Sequence, residues 1–139
     1  MGSPAISIDA AECMTMPDVC LTPTPVGPIP IPYPNMGTTI MANPGTTAEN
    51  VLIAAMPAMV EESEIMMSEG DDAGVAGGVM SGIFIGPISV ELASVTVFMA
   101  GRGAAYLGSM TGHNGDPVAN MPAGVIDTPS PPGTVLVAP

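Results

Sequence analysis

The segment Pro17-Asp-Val-Cys20-Leu-Thr-Pro23-Thr-Pro25-Val-Gly-Pro28-Ile-Pro30-Ile-Pro32-Tyr-Pro34-Asn-Met-Gly37 constrains the backbone more than any other part of the chain. Between Pro28 and Pro34, four prolines alternate with Ile29, Ile31 and Tyr33. Each proline fixes φ at about −65° and carries no N–H, so the segment is expected to be neither helix nor central strand. It must run extended, offering carbonyls and a few apolar side chains to something else. Ile29, Ile31 and Tyr33 are therefore expected on a rigid partner-facing or base-packing surface, which the prolines hold extended at little entropic cost.

The 139 residues suffice for one domain with its own core. A single Lys+Arg, Arg102, stands against 13 Asp+Glu, for a net charge of −12. A lone cation cannot neutralise a row of phosphates, which excludes nucleic-acid binding, and it gives no attraction to an anionic membrane surface. Only 10% of residues are charged while 47% are hydrophobic, the reverse of a disordered chain despite 17 Pro and 17 Gly. With so few polar side chains, apolar surface stays exposed unless a partner covers it. Thirteen methionines against four aromatics point to adaptable packing. The expected class is a small all-β domain, punctuated by Gly and Pro, that works bound to something.

Cys13 and Cys20 are too few for a disulfide scaffold; a bridge between them is open, and two buried reduced thiols are the simpler expectation. The N-terminus lacks the basic and apolar regions of a signal peptide. From Ala73 to Val90 there is no charge, and Gly74, Gly78, Gly82 and Gly86 fall at four-residue spacing, as in packed transmembrane helices. The run is barely long enough, contains Pro87, is acidic on both flanks and leads into β-type residues, so no membrane anchor is expected.

Along the chain, residues 1–16 read as a tail and residues 17–139 as the domain. Short strands are expected at Thr38–Met41, Val51–Ile53, Ile83–Ile85, Ile88–Leu92, Val95–Met99 and Val135–Val137, with a turn at Asn43-Pro44-Gly45. Glu61–Asp72 is an acidic loop or short helix. Val51-Leu-Ile-Ala-Ala-Met-Pro-Ala58 aligns with Val97-Phe-Met-Ala-Gly-Arg-Gly-Ala104 at an offset of 46 residues, and Val135-Leu-Val-Ala138 begins a third copy. Small or turn-forming residues precede each copy: Thr46-Thr47, Ala93-Ser94 and Pro131-Pro132-Gly133. Three copies of a strand-turn unit predict a body with approximate threefold symmetry, suited to sit on the axis of a trimer.

Three blocks carry a resemblance to a known family. Residues 17–37 match a Pro-Asp-Val-Cys…Pro-Ile-Pro-Tyr-Pro-Asn signature. Residues 69–82 match a Gly-rich central block, and residues 95–115, ending Thr111-Gly-His113-Asn-Gly115, match a last strand and its close. Together they resemble the PAAR-like proteins at the spike tip of type VI secretion systems and related contractile injection machines. The resemblance implies a cone of short β-hairpins with approximate threefold internal symmetry. It also implies a monomer capping the blunt end of a trimeric VgrG-type β-helical spike, sharpening it for membrane puncturing and effector delivery. Such a chain would be cytoplasmic before assembly and would leave the cell with the spike, alone or with an effector or adaptor.

Some relatives stiffen the tip with zinc held by histidines and a cysteine. Here Cys20 and His113 fall at the signature positions, with Cys13 a conceivable third ligand. That is short of the four donors tetrahedral zinc prefers, so no metal is expected. The alternative function is a Cys/His-dependent hydrolase or thiol enzyme using Cys20 or Cys13, His113 and an acid from 61–72. No nucleophile elbow or phosphate loop supports it, and no enzyme activity is expected. A calcium loop built on Glu64, Glu69, Asp71 and Asp72 lacks EF-hand spacing.

Overall fold

A computed structural model describes residues 2–115, 118–129 and 135–138. They form the strands β1 (Ser3–Pro4), β2 (Glu12–Thr22), β3 (Ile29–Thr38), β4 (Ala48–Ile53), β5 (Met56–Ala58), β6 (Glu64–Ile65), β7 (Ile88–Leu92), β8 (Phe98–Met99), β9 (Arg102–Gly103), β10 (Met110–His113), β11 (Met121–Thr128) and β12 (Leu136–Val137). Two 3-10 turns, Thr39–Met41 and Pro44–Thr46, complete the elements. The domain is all-β, as its composition implied. Among the described residues, no helix is long and apolar enough to cross a membrane.

An antiparallel sheet of order β3-β2-β11-β10-β7-β6 makes one part of the molecule, and the proline-rich β3 lies at its edge. The alternation explains how β3 still pairs. Period two puts Pro30, Pro32 and Pro34 on one side of the strand, and Ile29, Ile31 and Tyr33 on the side facing Thr22, Cys20 and Asp18. Met36 shares the prolines' parity, and its N–H points away from β2, donating to the Glu69 carbonyl at 2.8 Å. The prolines thus occupy positions where an N–H would have no partner in β2, and they strip the free edge of donors for a further strand. The first half of the segment departs from expectation. Pro17 lies within β2, between β3 and β11, where a register shift between Thr15 and Asp18 bulges the ladder around it.

Three two-stranded units, β4-β5, β8-β9 and β12-β1, make the other part. The first two are the copies at 51–58 and 97–104. Ile53 pairs Met56 and Met99 pairs Arg102, with turn residues Ala54-Ala55 and Ala100-Gly101 all at positive φ. The third copy is completed by the opposite end of the chain, since Leu136 and Val137 pair Pro4 and Ser3. Residues 2–16, expected within a tail, are therefore part of the folded body: Ala5, Ile6 and Ala11 are buried. The Pro131-Pro132-Gly133 lead-in lies outside the described residues.

The three second strands close on one another in a ring. Ile6 N–H donates to Ala105 O (3.1 Å), Ala105 N–H to Met59 O (3.0 Å), and Met59 N–H to Ile6 O (2.8 Å). An outer set closes the ring again with the donors running the other way: Ile8 N–H to Pro57 O, Glu61 N–H to Gly103 O, and Leu107 N–H to Pro4 O. Strand alternation then sends side chains two ways. Ala5, Ala58 and Ala104 join Ile53 and Val137 in one apolar cluster. Ile6, Met59 and Ala105 join Ile65, Ile88, Val90 and Ile126 in a second, under the large sheet.

Three strand expectations are corrected by local hydrogen bonds. Thr38–Met41 ends β3 and turns into 3-10 geometry, because Thr39 N–H donates to Ala11 O and its carbonyl accepts from Ala42. Ile83–Ile85 is not a strand: Ile83 O accepts from Asn114 Nδ2, and Ile85, at φ 46°, donates its N–H to Asp71. Val95–Met99 shortens to Phe98–Met99, because the Ser94 hydroxyl caps the N–H groups of Thr96 and Val97. Glu61–Asp72 is a loop with one short strand, β6.

Candidate functional site

The proline-rich signature, the Gly-rich block and the residues around His113 meet in a buried polar cluster. β2 supplies Asp18 and Cys20, both with no exposed surface, and Asp71 enters from the Gly-rich block, equally buried. The Cys20 thiol lies 3.6 Å from Asp71 Oδ2 and 3.7 Å from Asp18 Oδ2 and donates to these carboxyl groups. Asn120 Nδ2 donates to Asp18 Oδ1 and to Val19 O. Its Oδ1 accepts from Met80 and Ser81 N–H. Asn114 Nδ2 donates to Asp18 Oδ1 and Ile83 O, and its Oδ1 accepts from Gly86 N–H. Asp71, Asn114 and Asn120 therefore tie the Gly-rich block and residues 83–86 onto β2. Gly78 is required here, because a Cβ would land on the Asn120 carboxamide.

His113 belongs to an adjoining network. Its Nδ1 is 2.8 Å from Asn35 Oδ1 and its Nε2 is 2.7 Å from Thr111 Oγ1. The Asn35 amide nitrogen donates to Ser68 Oγ, so its oxygen faces the ring. That oxygen only accepts, so Nδ1 carries the proton and Nε2 accepts from the threonine hydroxyl. Burial pushes the imidazole pKa down to about 4, against a smaller upward pull from Asp18. Burial, then the hydrogen bond to Asp18 and its charge, push the Asp71 carboxyl up to about 6. Burial, then the Asp18 and Asp71 charges, push the Cys20 thiol up to about 12.

These facts decide what the cluster does chemically. Cys20 faces two carboxylates that hold its proton on, and His113 is engaged elsewhere, so the base-activated thiol of the enzyme alternative is not assembled. Zinc through Cys20 and His113 does not fit either, since both ring nitrogens have protein partners. Among the described residues, the donors within mutual ligand reach are Asp18, Cys20 and Asp71. Cys13 is a separate buried free thiol near Gly37 O. The calcium-loop acids are scattered: Glu64 lies in β6, Asp71 is buried, and Glu69 and Asp72 are exposed.

The match to known families agrees with this structural character. The family model for the toxin PAAR-like domain covers residues 11–122, well over half of the chain. The chain belongs to that family. No curated protein and no solved structure matches it. The PAAR-like family is a structural, toxin-associated one and not a known enzyme class. The matched span contains the polar cluster, whereas β1 and β12, which complete the ring of three, lie outside it.

The edge-strand residues sit beside the cluster. Ile29 is exposed, while Ile31 and Tyr33 are half-buried opposite Cys20 and Asp18. The Tyr33 hydroxyl lies 2.6 Å from Thr22 Oγ1, so its ring is tied along β2. Asp18 and Asn35 lie inside the opening signature and Asn114 adjoins His113, yet side-chain type alone gave no reason to assign them partners. Asn120 carried no sequence signal.

Proposed function

We propose that this PAAR-like domain is a spike-tip protein that caps the open end of a trimeric β-helical spike of the VgrG type in a contractile injection system. One observation supports the reading above others: a single chain presents the same two-stranded unit three times around a closed hydrogen-bond ring. The units match outside as well as inside. Leu52, Phe98 and Leu136 occupy equivalent positions, next to the inward Ile53, Met99 and Val137, and are 60%, 61% and 62% exposed. Three like apolar side chains at like positions suit three identical sites on a homotrimer, and their burial offsets the cost of exposing them. Ile29, Ile31 and Tyr33 are proposed as a separate rigid face, with Tyr33 supplying its packing side.

Copurification with the trimeric spike protein of its own cell tests the proposal. One copy of this chain per three spike chains is expected by native mass measurement. Leu52→Asp/Phe98→Asp/Leu136→Asp is expected to fold and to lose the complex, because all three side chains are exposed. A wild-type protein that binds no trimeric spike, or a triple variant that binds undiminished, rejects the reading.

A further inference from the structure

A groove unrelated to the ring of three runs along the start and end of the β2-β3 pair. Its larger part holds about 360 Å³ between β3, the Thr39–Met41 turn and residues 67–72, and a smaller part of about 140 Å³ continues toward β2. Met14, Met36, Met41 and Met67 line it, each roughly two-fifths to one-half exposed. Gly37 forms the floor, where a Cβ would press into Ile88. Unbranched thioether side chains adapt to irregular apolar shapes, which makes methionine a residue of permissive docking surfaces. The rim is acidic, with Glu12, Glu69, Asp72 and Asp127 and no cation. Arg102, the sole basic side chain besides His113, is held elsewhere, against the carbonyls of Glu61 and Thr47.

We propose that this methionine groove docks a cationic amphipathic segment of another protein, with its apolar side chains on the methionines and its lysines or arginines on the acidic rim. Charge selects the occupant. A second copy of this chain carries −12 and would bring acid to acid, and an anionic lipid surface is repelled for the same reason. A segment with basic residues flanking apolar ones satisfies both the floor and the rim. The inference stands whether or not the chain caps a spike, because the groove and the Leu52/Phe98/Leu136 positions share no residue.

The test is fluorescence anisotropy of a dye-labelled leucine/lysine amphipathic peptide titrated with the full chain. Saturable one-to-one binding that weakens with salt is expected. Met41→Gln/Met67→Gln and Glu69→Gln/Asp72→Asn change exposed side chains, leave the melting temperature in place, and are each expected to weaken binding about tenfold or more. Oligolysine binding as tightly as the amphipathic peptide would overturn the proposal, as would double variants that bind like wild type. Absence of binding would do the same. So would sedimentation showing a wild-type dimer that Met41→Gln/Met67→Gln abolishes, which would assign the groove to a second copy.

Discussion

His113 shows how burial fixes the role of a residue that composition leaves ambiguous. A lone imidazole beside cysteines is readable as ligand, base or structural group. Its two ring nitrogens, engaged by Asn35 and Thr111, leave only the structural role, in the neutral form. The consequence for stability has a definite sign. A folded-state pKa of about 4, below the ordinary 6.5, means that the folded protein resists protonation. The stabilisation is complete above pH 6.5 and is lost as pH falls toward 4, on the order of 3 kcal/mol in all. Asp71 acts in the opposite sense. Its raised pKa makes stability decline as pH rises through and above the ordinary carboxylate range. The chain has one histidine, so its imidazole proton resonance is unambiguous. It is expected to titrate with a midpoint of about 4 in the folded protein and at the ordinary value in urea. A folded-state midpoint near 6.5 would contradict the network.

At the scale of elements, the repeated hairpins expose a correctable strain. Ala54 and Ala55 both sit at positive φ, 52° and 68°, at the turn between β4 and β5, where L-residues other than Asn and Asp are disfavoured. The equivalent turn at Ala100-Gly101 already uses glycine at its second position. Ala54→Asn/Ala55→Gly is therefore expected to stabilise the protein by about 1 kcal/mol, and thermal melting is expected to rise by a few degrees. An unchanged or lower midpoint would mean that the turn is not the type described. These two hairpins were legible because a local pattern of apolar triplet and tight turn encodes them. β10 and β11 were not, because Thr111-Gly-His113 and Met121-Pro-Ala-Gly124 carry no β-type run and owe their pairing to neighbours. Gly124 permits that pairing: a Cβ there would collide with the His113 ring.

For the whole molecule, the decisive contact joins the two ends of the chain. β1 and β12 make the third unit, and Ile6 supplies one of three links in the ring between the two apolar clusters. Deleting residues 2–8 would open the ring and take away Ala5, Ile6 and Ser7, all buried. Truncating Ile6 alone, as Ile6→Ala, is expected to cost about 2–5 kcal/mol. The deletion is expected to abolish cooperative unfolding by calorimetry. If the deleted protein melted like the full chain, residues 2–8 would indeed be the tail that their sequence suggested.

By itself the sequence determined the properties that each residue carries wherever it sits. It set the acidic surface, the donor-free edge written by alternating prolines, the two complete hairpin copies and the family signature. Tertiary structure alone decided which distant segments complete one another. The third unit needed Val137 beside Ser3, and the polar cluster needed Asp18, Asp71, Asn114 and Asn120 in one buried space. Local patterns fix the backbone over a few residues. A contact spanning a hundred or more exists only when every segment between has folded.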